Sequence, residues 1–131
     1  MARQPDVQLK RAYEPPAPRD GTRILVDRLW PRGVSKAKAH IDLWLKDVAP
    51  STALRQWFGH DPARWSEFRR RYRAELKRQP EALAQLRTLA RKERITLVFG
   101  ARDERRNQAV VLKATVAGRR AKRARRAAPA R

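Results

Sequence analysis

The chain has 131 residues, 35% of them charged, and a formal net charge of +20 from 33 Lys and Arg against 13 Asp and Glu. That length suits one domain with a buried core. With no cysteine there is neither a disulfide scaffold nor a thiolate metal site, and no run of about 20 apolar residues exists to span a bilayer. Four tryptophans and regular apolar spacing exclude a wholly disordered chain.

The charge is uneven. Residues 118–131, GRRAKRARRAAPAR, hold seven cations (Arg119, Arg120, Lys122, Arg123, Arg125, Arg126 and Arg131) and no acid. Taking those seven from +20 leaves +13 on residues 1–117. The expected division is a single α/β domain over 1–117 and a disordered Arg-rich basic tail over 118–131. Such a tail attracts nucleic acid non-specifically through counterion release. A solvated, solubilising extension is the plainer reading. No apolar leader precedes the domain, so the expected compartment is the cytoplasm.

In chain order, residues 7–13 (VQLKRAY) alternate apolar and polar and predict a strand. EPPAPRDG follows as a loop, closed by a turn at Asp20-Gly21. Residues 23–29 (RILVDRL) predict a second strand, whose Ile24-Leu25-Val26 run suits burial on both faces. Trp30-Pro31-Arg32-Gly33 ends it, because Pro31 has no N–H for a central ladder. Ser35 predicts the cap of a short helix from Lys36 to about His40, and residues 41–48 read as a connector. Ser51 caps a helix with Leu54, Trp57 and Phe58 on one face. Asp61 and Pro62 open another helix reaching about Gln79, with Trp65, Phe68, Tyr72 and Leu76 as its apolar stripe. Pro80 starts a further helix, ITLVF at 95–99 is a strand, and Asn107 to Ala117 reads as a last helix ended by Gly118. Two apolar strands separated by helices imply parallel pairing. The expected fold is therefore α/β, a small three-layer domain with a short, mainly parallel sheet flanked by helices.

In parallel sheets, ligands bind beyond the carboxyl ends of the strands. Asp27 and Arg28 stand there on one strand, followed by Trp30 and Arg32, and Arg102 and Asp103 follow the other. If the two strands are neighbours, these groups meet at one edge. Arg28, Arg32 and Arg102 are then candidates to grip a small anion, with Asp27 and Asp103 orienting them. The alternative is an internal ion-pair network fixing the two turns. Trp30 either covers a ligand ring or anchors the turn, and Lys36 either adds charge to the rim or is solvated.

Weak catalytic candidates are Asp27, His60 and Asp103. Histidine is the natural acid–base residue near neutral pH, but Asp61 beside His60 is engaged as a helix cap. Ser35 and Ser51 also read as caps, and there is no nucleophile elbow. The two histidines lack metal-ligand spacing, and no Walker loop or dinucleotide fingerprint occurs. No metal and no cofactor is expected, and whether the protein is an enzyme stays open. Three functions follow: binding of a small anionic ligand, with or without turnover; nucleic-acid binding through the basic surface and tail; and a non-catalytic interaction module.

Four blocks are distinctive: Val26-Asp27-Arg28-Leu29-Trp30-Pro31-Arg32-Gly33, Asp47-Val48-Ala49-Pro50-Ser51, Trp57-Phe58-Gly59-His60-Asp61 and Ala101-Arg102-Asp103. Through them, residues 7–114 closely resemble the YeaO-like proteins, small bacterial proteins of unknown function. The resemblance implies a compact α/β domain and brings no mechanism with it. Larger relatives carry cysteines near the final strand. This chain has none, so no thiol chemistry transfers.

Overall fold

A computed structural model describes residues 4–127, and the side chains of residues 4–117. Four strands, β1 (Val7–Arg11), β2 (Thr22–Leu25), β3 (Leu43–Trp44) and β4 (Ile95–Phe99), form one sheet in the order β1-β4-β2-β3. Every pairing is parallel, with Leu9 opposite Leu97 and Leu25 opposite Val98. The helices are α1 (Lys36–Ala39), α2 (Thr52–Phe58), α3 (Trp65–Leu76), α4 (Pro80–Lys92) and α5 (Gln108–Ala127). This is the expected small α/β domain, with the two apolar strands side by side and pointing the same way.

Alternation along the strands divides the core. Val7, Ile24, Val26, Ile95, Leu97 and Phe99 face a large cluster supplied by α2 to α5. Phe68, Tyr72 and Leu76 are buried there as one stripe of α3, and Phe58 stacks on Phe68 with ring centroids 4.4 Å apart. Spacing of 3.6 residues per turn explains why these aromatics are core. Leu25, Val98 and Ala12 face the other way, beneath Trp30, Val34, Ile41 and Trp44. That layer is thin, supplied by the segments flanking α1 and by Trp44 of β3.

Boundaries differ in places. The first strand ends at Arg11 rather than Tyr13, and the second at Leu25 rather than Leu29. One further ladder bond follows each, from Ala12 N–H to Phe99 O (2.7 Å) and from Val26 N–H to Val98 O (3.0 Å). The connector at 41–48 contains the two-residue strand β3, too short to carry an alternating pattern. Pro62–Arg64 is a 3₁₀ turn leading into α3, and α5 is bounded at Ala127 rather than at Gly118. The tail expected to be disordered, with the cations from Arg119 to Arg126, lies outside the described side chains.

Asp20 and Gly21 close the loop before β2. The Asp20 carboxylate meets Lys10 Nζ at 3.1 Å and Arg23 Nη1 at 2.7 Å. Burial alone would raise its pKa. The Ala17 N–H and the two cations outweigh that and hold it below the usual carboxylate range. Gly21 has φ of +65°, and a Cβ there would stand 2.1 Å from Arg94 O. Only glycine fits.

Candidate functional site

Beyond the carboxyl ends of β2 and β4 the chain diverges, and the space between is a cleft of about 320 Å³. Asp27 forms part of its wall. Its Oδ2 accepts the Gly100 N–H at 2.9 Å, and its Oδ1 accepts the side-chain amide of Gln108, the first residue of α5. The indole N–H of Trp44 donates to the Asp27 carbonyl at 2.7 Å, fixing the turn from the β3 side. A Cβ at Gly100 would lie 2.8 Å from Asp27 Oδ2, so this glycine is what lets the carboxylate reach the backbone. Burial pushes the Asp27 carboxyl up to about 6, against the lowering pull of the Gly100 N–H, the Gln108 amide and the Arg55 charge.

Arg28 turns toward the start of α2, where its Nε and Nη2 donate to Pro50 O (3.1 Å) and Ala49 O (3.3 Å). Ser51 caps α2 by accepting from Leu54 N–H at 3.1 Å and donates its own hydroxyl to Glu75 at 2.6 Å. These bonds set α2 so that Arg55 and Phe58, three residues apart and thus neighbours on the helix, both line the cleft. The helix ends in two consecutive left-handed residues, Gly59 (φ +52°) and His60 (φ +58°). His60 also lines the cleft and packs 6.0 Å from the Phe58 ring.

The cleft therefore gathers Asp27, Arg28, Trp30, Arg32 and His60 of the residues singled out in the sequence. Trp30 is committed on its polar side, donating to Val34 O at 2.7 Å, and sits edge-on to Trp44 at 5.5 Å. Lys36 lies outside the lining, exposed, with Nζ 5.8 Å from the Trp30 ring. Arg102 is exposed and also outside it. Asp103 staples the entry to α5: Oδ1 accepts the N–H groups of Arg105 (2.9 Å) and Arg106 (3.0 Å). Those bonds, the Arg105 N–H foremost, hold its carboxyl below the usual range. Among the described residues, neither Asp27 nor Asp103 bonds to Arg28, Arg32 or Arg102.

Sequence reasoning missed Tyr13, Leu29, Arg55, Gly100, Asn107 and Gln108, which all line the cleft. A signal existed for Tyr13. Once the first strand is parallel to the others, the residues just past its end join the same edge. Arg55 and Gln108 arrive on helices whose placement is tertiary and leaves no local mark. Among the described residues no three His, Asp or Glu side chains converge as metal ligands would. No helix among them is long and apolar enough to cross a membrane.

A family model described as "Inactive DUF488-N3 subclade" matches residues 6–131. The chain belongs to this family. Uncharacterised proteins of Mycobacterium tuberculosis and Mycobacterium bovis are each 44% identical to it over 119 residues, which is 91% of this chain and all of theirs. The uncharacterised protein YeaO of Escherichia coli is 41% identical over 107 residues, 82% of this chain and 93% of its own. The resemblance to YeaO-like proteins thus holds across most of this DUF488-N3 domain. No solved structure matches it significantly.

Proposed function

We propose that this DUF488-N3 domain binds a small anion in the cleft at the carboxyl edge of its sheet, and that it binds without turning it over. The observation that carries the reading is the state of its cations. Arg28, Arg32 and Arg55 line the cleft with a single carboxylate, Asp27, among them. Among the described residues, the guanidiniums of Arg32 and Arg55 donate no hydrogen bond, and both residues are exposed. Two free guanidinium forks at a concave site suit a phosphate or carboxylate.

Turnover has less support. The lining holds no Ser, Thr, Cys or Lys, which leaves Tyr13, Asp27 and His60 as its candidates for nucleophile or acid–base. Both oxygens of Asp27 are engaged by Gly100 and Gln108. The family's own description as inactive agrees with binding alone.

The test is titration with inorganic phosphate and pyrophosphate at fixed ionic strength, on the parent chain and on Arg32→Ala and Arg55→Ala. Saturable binding weakened about tenfold by each substitution is expected, the loss of one charge-assisted contact. Equal affinity in all three proteins would assign the anion to the general +20 charge and remove the cleft from the account. In that event a steep salt dependence, abolished by deleting residues 118–131, would favour the nucleic-acid reading.

A further inference from the structure

The cleft is not only cationic. Among the described residues two large apolar side chains are exposed, Tyr13 at 49% and Leu29 at 61%. Both line this cleft. They come from different segments, Tyr13 just past β1 and Leu29 just past β2, so their meeting is a product of the parallel sheet and not of local sequence. Tyr13 is held in place. Its hydroxyl donates to Arg32 O at 2.8 Å, and the Arg11 guanidinium lies 5.0 Å from its ring centroid. Arg11 is itself tied through Nε to Ala101 O at 3.0 Å. A fixed aromatic ring therefore stands directly beside the residue that carries one of the free guanidiniums.

We propose that the ligand is an aromatic anion: a flat ring bearing one compact oxyanion such as a phosphate monoester. The ring lies against Tyr13 and Leu29, and the oxyanion is held by Arg32 and Arg55. This rests on the anion-binding reading above and narrows it. A bare inorganic ion would satisfy the guanidiniums and leave both apolar side chains in water. A long acyl chain would overfill about 320 Å³, the low end of small-molecule sites. An anchored Tyr ring loses little further freedom on stacking, which favours a flat partner.

The experiment compares phenyl phosphate, cyclohexyl phosphate and methyl phosphate by calorimetric titration at fixed pH and ionic strength. The proteins are the parent chain, Tyr13→Ala and Leu29→Ala. Phenyl phosphate is expected to bind about tenfold more tightly than methyl phosphate, from ring burial and stacking, with cyclohexyl phosphate between them. Each substitution should shrink the ratio of phenyl to methyl phosphate affinity severalfold, a readout that a uniform loss of anion binding does not move. Leu29 is the more exposed of the two, so Leu29→Ala keeps the test informative if loss of the Tyr13–Arg32 bond disturbs the fold. Equal binding of phenyl and methyl phosphate overturns the aromatic inference and leaves the anion reading standing. Equal binding of phenyl and cyclohexyl phosphate overturns the flat-ring part of it. Failure of all three to bind overturns both readings.

Discussion

The two ends of β2 each carry an aspartate, Asp20 buried and Asp27 half-buried, and the two are held in opposite ways. Asp20, just before the strand, accepts from two cations, Lys10 and Arg23. Asp27, just after it, accepts from two neutral donors, Gly100 N–H and the Gln108 amide. The first carboxyl is held below its usual range and the second is pushed up to about 6. Burial acts in the same direction on both. What differs is whether cations reach hydrogen-bond distance: Lys10 and Arg23 do so at Asp20, whereas Asp27 is bonded by neutral donors and Arg55 acts on it only through space. One end of the strand is a closed ion-pair cluster, and the other is the wall of an open cleft.

The largest effect should come from breaking the closed end. Asp20→Ala leaves Arg23, whose side chain is 4% exposed, facing Lys10 without an anion. It also takes the acceptor from Ala17 N–H. Removing one member of a buried pair costs about 3–5 kcal/mol, readable by urea denaturation at neutral pH. A loss under about 1 kcal/mol, the scale of an exposed pair, would mean that the cluster contributes no more than a surface salt bridge and that the contrast between the two ends is empty.

Asp27→Asn addresses the open end, and its sign should be opposite. The folded carboxyl titrates near 6 and the unfolded one near 3.8. Between those values the folded state holds more protons, so stability falls as pH rises from about 4 to about 6. Above that window the ionised carboxylate is a standing cost. Asparagine presents the same shape without the charge, and Gln108 can turn its amide to match. The variant should be more stable than the parent above pH 6, by about 1–2 kcal/mol once altered hydrogen bonds are set against the relieved desolvation. Below pH 4 the advantage should vanish. Denaturation midpoints across pH 3.5–7.5 would show it, and a constant offset across that range would refute the raised carboxyl. The Asp20 cluster runs the other way, because its lowered carboxyl stabilises above about 4 and loses that contribution as pH falls.

How much of this contrast was legible in the sequence follows from the range of each interaction. The strands at Ile24-Leu25-Val26 and Ile95–Phe99 were readable because burial on both faces requires continuous apolar runs. The stripe of Phe68, Tyr72 and Leu76 was readable because helical spacing is local. Asp27 was readable as a strand-end polar residue. Its partners were not, because Gly100 and Gln108 lie more than 70 residues away and reach it only after β4 has paired with β2. Asp20 read only as a turn residue. Its pairing with Lys10 depends on β1 lying two strands from β2, an order that residue types alone do not encode. Arg102 and Asp103 read as members of one cluster with Asp27, Arg28 and Arg32 because they follow a neighbouring strand. The chain turns at Gly100, and Asp103 goes instead to the backbone N–H groups entering α5.

Gly100→Ala probes the same open end with a smaller expected effect. The new methyl group would press on Asp27 Oδ2 and also approach Pro31 Cβ at 3.4 Å. The carboxylate must then retreat from the Gly100 N–H and lose one of the bonds that lower its pKa. We expect a loss of about 1 kcal/mol, the worth of one hydrogen bond. The pH window of Asp27 should move upward relative to the parent. An unchanged window would mean that the backbone N–H contributes nothing to holding the anion.

The smallest effect is expected at a third carboxylate, which separates charge pairing from burial. Glu67 on α3 accepts from Arg70 at 2.9 and 2.5 Å and from Arg71 at 2.7 Å. These bonds draw its carboxyl down to about 2, the same direction as Asp20 and with equally good geometry. The Arg70 side chain, however, is 73% exposed. Water screens the pair, and holding long side chains in one arrangement costs rotamer freedom. Glu67→Gln should therefore melt indistinguishably from the parent at neutral pH, while Asp20→Ala does not. If the two variants lost comparable stability, the number of cations around a carboxylate would be what matters. If only Asp20→Ala is damaging, the decisive factor is that Arg23 has no water to turn to when its anion is taken away.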